Sequence, residues 1–156
     1  MILAWQLFFN AHNWQDLIAH KNAKVCGCGL VYELGNPLER SNEDCAIADM
    51  RDIQYMEPHY HPEIELYYII QGSGTLVIGK AENNIKSGDI FLIPSNTAHF
   101  ITSANDLVIG VVNTPPFNPH TYVPLYQSNE DVSFCLEQFN RLAYKTAISG
   151  EQLIAK

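Results

Sequence analysis

The sequence predicts an all-β fold, an antiparallel sandwich or barrel built as one domain. Three observations carry that reading. Between Val25 and about Asn113 the chain breaks into short runs rich in Val, Ile, Tyr and Phe. Turn-forming clusters, "GNP", "GSG", "ENN", "SGD" and "PSNT", separate those runs at hairpin spacing. A chain of 156 residues, 47% of them apolar, suffices for one core and is too short for two ordinary domains.

Residues 1–24 form an extension ahead of the strands. "MILAWQLFFN" lacks the basic start and the cleavage pattern of an export signal. Nor does any run reach the roughly 20 apolar residues of a membrane span. The segment reads as a strand, packed on the core or paired with a second subunit. "NWQDLIAHKNAK" reads as a short helix, with Asn13 as a polar cap and Trp14, Leu17 and Ile18 at helical spacing.

Residues 25–114 hold the barrel, as "VCGCGLVYEL", "CAIADMRDIQY", "IELYYIIQ", "GTLVIGK", "DIFLIP", "AHFITS" and "LVIGVVN". Cys26 and Cys28 are expected on one face of the first of these as small, buried, reduced thiols. The absence of an export signal places the protein in the reducing cytoplasm. Residues 115–156 follow as a proline-rich segment and a helix packed on the barrel. "PPFNPHTYVPL" lacks too many backbone donors for regular sheet, so it should run over the surface and cover an open end with its aromatics. "EDVSFCLEQFNRLAYKTA" aligns Val132, Cys135, Leu136, Phe139, Leu142 and Ala143 on one helical stripe.

Charge narrows the partners. Seventeen acidic against nine basic residues give a net charge of −8, which repels phosphate backbones, and no Lys/Arg cluster reverses it locally. A small molecule, rather than nucleic acid or a membrane, is the expected partner.

The chemistry concentrates in "EPHYHPEIELYYIIQG", residues 57–72. His59 and His61 lie two apart, so on one strand both imidazoles face the same way. If Pro62 turns the chain, Glu65 returns a carboxylate to that side. Two nitrogens and an oxygen suit a first-row divalent ion (Fe, Mn, Ni or Zn) better than Ca²⁺ or Mg²⁺. His99, in "SGDIFLIPSNTAHF", is the candidate fourth ligand.

With those residues in place, "HYHPEIELYYIIQG" resembles the first motif of the cupin superfamily, through His59, His61, Glu65 and Gly72. "GDIFLIPSNTAH" resembles its second motif, through Gly88, Pro94 and His99. The sequence departs from the family pattern at Ile53 and Asn96, where glycine is usual, and at Ser103, where asparagine is usual. None of these is a ligand position, and asparagine tolerates a left-handed turn. The resemblance implies a jelly-roll barrel with one divalent transition metal per chain, held by three histidines and a glutamate. It also implies a homodimer, for which residues 1–9 would supply an edge strand.

Pocket residues follow from strand parity. An unbroken strand through "ADMRDIQYMEPHYH" would put Arg51, Ile53, Tyr55 and Glu57 on the face of the histidines. Arg51 would then hold a substrate carboxylate or phosphate, and Tyr55 would orient the substrate or transfer a proton. Tyr67 shares the face of Glu65 and is a second catalytic candidate. Glu63 is expected in solvent at the turn, and His12, His20 and His120 on the surface.

Two function classes fit this pattern. One is a metal-dependent enzyme of oxygenase, isomerase or lyase type, acting on a small polar or carboxylated metabolite. The other is a non-catalytic barrel that binds or senses a small molecule.

Overall fold

The computed structural model describes residues 2–40 and 42–125. Two helices, α1 (Ile2–Ala11) and α2 (Trp14–Ile18), precede the strands β1 (Lys24–Cys26), β2 (Gly29–Gly35), β3 (Asp44–Met50), β4 (Met56–Tyr60), β5 (Ile64–Ile78), β6 (Ala81–Lys86), β7 (Ile90–Ile93), β8 (His99–Thr114) and β9 (Val123–Pro124). All strand pairs are antiparallel. No helix among the described residues is long and apolar enough to cross a membrane. The expected C-terminal helix lies outside the described residues.

β8 is the spine of the sheet. Its second half lies between β3 and β5, with Ala46 and Tyr67 both opposite Val111. Its first residue, His99, pairs with His59 of β4 on one edge and with Ile78 of β5 on the other. The sheet thus curls around one interior, and alternation along each strand sorts residues between two faces. Tyr67, Ile69, Leu107 and Ile109 join Met50, Met56, Leu76 and Ile101 in the inner cluster. Leu66, Tyr68, Val108 and Val112 face outward into a second cluster with Ile47, Trp5, Phe8, Phe9 and Trp14.

Two strands are longer than the turn signals suggest. "GSG" does not end a strand; β5 runs through it, bulging around Gly72 at φ 82°. A Cβ at Gly72 would overlap the Asp106 carbonyl, and Asp106 itself is left-handed at φ 52°. The two strands therefore bend where they cross, and glycine serves a bulge rather than a turn. Asn96 and Ser103, two of the three departures from the family pattern, also adopt positive φ, 56° and 53°.

Two expectations for the N-terminal region need correction. Residues 2–11 form a helix, not an edge strand, because Trp5, Phe8 and Phe9 recur at helical spacing and are buried together on the outer face of the sheet. An unbroken apolar run hides which period operates. "VCGCGLVYEL" is likewise a hairpin, with Gly27 and Cys28 between β1 and β2. Cys26 is exposed, and it is disulfide-bonded to Cys28 rather than reduced and buried. Cys45 is buried as a free thiol and pushed up to about 12 by burial, then by Asp44.

α2 is only five residues long. Asn13 caps it, its side-chain oxygen accepting from the Gln15 N–H at 3.0 Å. α1 docks more firmly. Phe9 stacks on Tyr68 at 5.7 Å, and Tyr68 donates its hydroxyl to Asn10. The ring also lies on Gly110, where a Cβ would come within 2.6 Å of Phe9 Cζ. Gly110→Ala should therefore lower stability by roughly 1–3 kcal/mol through overpacking. A denaturant midpoint equal to that of the parent would show that α1 does not sit on β8 in solution.

Candidate metal centre

Local geometry brings the four expected ligands together. β4 presents His59 and β8 presents its partner His99, so these imidazoles meet across one rung, with ring centroids 4.2 Å apart. His61 follows β4, with its ring 5.6 Å from His59 and 5.3 Å from His99. One nitrogen from each of the three lies within 4.8 Å of the others, all three residues being buried. Glu65, the second residue of β5, sets Oε1 3.1 Å from His99 Nε2 and 3.5 Å from His61 Nε2.

The far side of each ring is also occupied. His59 Nδ1 donates to the Glu57 carbonyl at 2.8 Å, and His99 Nδ1 to the Thr97 carbonyl at 2.9 Å. His61 Nδ1 lies 3.1 Å from Glu63 Oε2. With Nδ1 of His59 and His99 donating to backbone carbonyls, a neutral ring at either position keeps its Nε2 lone pair for the inward side, the tautomer that ligates metal. Both ring nitrogens of His61, and Glu63 Oε2 beside Nδ1, are buried without a well-formed hydrogen bond. An orphaned buried nitrogen beside two other imidazoles and a carboxylate is the donor set of a divalent transition ion, and the three histidines can hold one.

Burial and the central carboxylate act differently on the three titrating groups. Burial, then the neighbouring His99, pushes His59 well below its ordinary value, so it stays neutral. Burial also opposes charge on His61, but the nearby Glu65 carboxylate, then Glu63, outweigh it and raise the imidazole. Burial would likewise raise the Glu65 carboxyl, yet His61 and His99 hold it below its usual range. A carboxylate buried at this depth is retained only with positive partners.

The other candidates separate. Tyr67 is buried beside the centre, its ring 6.1 Å from His99 and its hydroxyl donating to Met56 Sδ at 3.4 Å. Burial and the Glu65 charge push its phenol well above the ordinary value. Tyr55 sits half-buried just before β4, and its neighbour Met56 points into the inner cluster. Arg51 is a correction. Its guanidinium pairs with Asp49 at 2.9 Å and lies 4.8 Å over Trp14, on the outer face of the sheet opposite Glu65. The chain turns at Arg51 and Asp52, ending β3 at Met50, and β4 bulges between Met56 and His59. Parity does not carry across such breaks.

Several residues of the site had not been anticipated. Glu63 is 2% exposed rather than solvated. Its signal was present, since His59, His61, Glu63 and Glu65 recur at every second position. The proline-rich segment crosses the site with specific partners, and against the expectation that it holds no sheet its end, Val123–Pro124, pairs with β4 as β9. Tyr122 stacks on His59 at 4.7 Å and donates to Glu57 Oε1 at 2.8 Å. Phe117 meets His61 edge to face at 5.8 Å. Nothing local in the sequence pairs residues some 60 positions apart.

A family model described as AraC-like ligand binding domain matches residues 42–138. An uncharacterized protein of Methanocaldococcus jannaschii is 28% identical over 75 residues, 47% of this chain and 59% of its own length. The chain thus matches about three fifths of that relative. Among solved structures, Streptomyces Pac13 with uridine is similar at 13% identity and a TM-score of 0.57, over 69% of this chain and 86% of that one. Oxalate decarboxylase from Bacillus subtilis is similar at 18% identity and 0.61, over 79% of this chain and 35% of that one. A protein from Planctomyces limnophilus is similar at 19% identity and 0.55, over 68% of this chain and 91% of that one. At such identities these likenesses show the fold.

Proposed function

The chain belongs to the family of AraC-like ligand-binding domains, within the cupin superfamily, and from that premise we propose that it is a metal-dependent enzyme acting on a small polar molecule. The observation that carries the reading is the convergence of three buried imidazoles beside Glu65, one nitrogen of each within 4.8 Å of the others, with Nδ1 of His59 and His99 held by backbone carbonyls. Glu65 would complete the ligand set of His59, His61 and His99. A bound divalent ion would act there as a Lewis acid on a substrate oxygen.

The residues around the centre define what they would contribute. Tyr67, its phenol raised by burial, keeps its proton at neutral pH and would donate a hydrogen bond rather than act as a base. Tyr122 and Phe117 shield the His59 and His61 rings from water. Among the described residues, no lysine or arginine ranks among the main electrostatic influences on His59, His61, Glu65 or Tyr67. A carboxylated substrate would then rely on the ion for its charge partner, which favours neutral hydroxylated molecules as well. Pac13, described as a nucleoside dehydratase, and oxalate decarboxylase are enzymes on this fold, which supports a lyase-type reaction.

A second reading has its own support. The family is described by ligand binding, so the same centre would hold a small molecule without converting it. One experiment addresses both. Protein purified without a tag is assayed for bound metal, then mixed with hydroxy acids, dicarboxylates and nucleosides and followed by thermal shift and product chromatography. Near-stoichiometric metal with turnover supports the enzyme. Metal with a raised melting temperature and no product supports the binding module. Failure to bind any of Fe, Mn, Ni or Zn removes both metal readings.

A further inference from the structure

Glu63 joins two parts of the molecule that the metal centre alone does not require to be joined. It lies between β4 and β5 and is buried to 2% exposure. Oε2 faces His61 Nδ1 at 3.1 Å. Oε1 accepts from the Asn118 N–H at 3.0 Å and from the Thr121 hydroxyl at 3.4 Å. Asn118 and Thr121 belong to the strap of residues 115–124. That strap carries Phe117 to His61 and Tyr122 to His59, and ends as β9 paired with His59 and Tyr60.

We propose that Glu63 is a positioning residue that couples metal binding at His61 to closure of the strap, a coupling that rests on the metal reading above. His61 Nδ1 and Glu63 Oε2 are both buried without a well-formed hydrogen bond despite their 3.1 Å approach. A cation at Nε2 would draw electron density from the imidazole and make Nδ1–H a stronger donor, forming that bond, and the carboxylate would in turn make the ring a better ligand. Fixing the carboxylate fixes the acceptor on which Asn118 and Thr121 are pinned. By linkage, whatever the ion contributes to holding the strap, the strap contributes to holding the ion. A purely structural Glu63 would instead satisfy the Asn118 N–H identically with and without metal.

The test uses the full chain and Co²⁺ alone as the probe. Affinity is measured by competition with a chromophoric chelator, and hydrogen exchange is followed in the peptide covering residues 115–125. In the parent, Co²⁺ should slow exchange in that peptide. Glu63→Gln keeps an acceptor for the strap but removes the charge facing His61. It should weaken Co²⁺ binding about 10–100-fold, the usual cost of losing an outer partner of a ligating histidine, and abolish the metal-dependent protection. Thr121→Val, which alters only the strap, should weaken Co²⁺ binding a few-fold, and it keeps the idea testable if Glu63→Gln fails to fold. Uptake by the parent with unchanged affinity in both variants, or with no change in exchange, overturns the coupling alone. No uptake by the parent overturns the metal reading and the coupling with it.

Discussion

Replacing His99 with alanine is expected to eliminate stoichiometric metal and to lower the stability of the metal-free protein, the largest combined effect of any single change at the site. His99 is fully buried, and its Nε2 sits 3.1 Å from Glu65 Oε1. Removal takes one of three nitrogens from the centre, a greater loss than the ~10–100-fold that follows from an outer partner. It also leaves the Glu65 carboxylate buried with His61 alone, at 3.5 Å. Stripping a partner from a buried charge costs about 3–5 kcal/mol, or roughly 10 °C of melting temperature in a chain of this size. His99→Gln separates the two effects, since its amide can still donate to Glu65. It should melt near the parent and carry no metal by elemental analysis. One ion per chain in the His99→Gln protein would show that the three histidines are not the centre.

Trp5→Ala is expected to destabilise the fold as strongly while sparing the metal. Trp5 is fully buried among Phe8, Phe9 and the outward side chains of β3, β5 and β8, on the face opposite Glu65. Phe8 meets its ring edge to face at 5.7 Å. Loss of an indole this enclosed typically costs about 3–5 kcal/mol, and α1 has little to hold it once the anchor is gone. Thermal melts should fall by roughly 10 °C, while the metal taken up per folded chain stays that of the parent. Deletion of residues 1–9 should likewise expose the outer cluster and promote aggregation, rather than release a soluble monomer from a dimer. A Trp5→Ala melt within 2 °C of the parent would mean that α1 is not docked in solution.

The candidate donor set was legible because each of its rules is local. His59 and His61 need only the two-residue period of a strand to share a side, and Glu65 needs only one intervening turn. His99 was found by its motif. The interior was partly legible for the same reason, since the alternation that puts Tyr67 inward and Tyr68 outward is written in adjacent residues. The short helix after Asn13 was legible, but α1 was read as a strand because "ILAWQLFF" is apolar at nearly every position, so neither a period of two nor one of 3.6 stands out.

By itself, the sequence determined an antiparallel sandwich or barrel and, through its resemblance to the cupins, the candidate donors within it, since residue identity sets which ions a donor set suits and strand alternation sets which donors can converge. Tertiary structure alone decided the rest. Side-chain direction is reset at every turn and bulge, which sent Arg51 to Trp14 and left Gly72 inside a single long strand. Burial of Glu63, and the stacking of Tyr122 on His59, depend on a strap that returns from some 60 residues away. Contacts at that separation are stabilised by packing and by the need to satisfy buried polar groups, forces that act through space and leave no period in the chain.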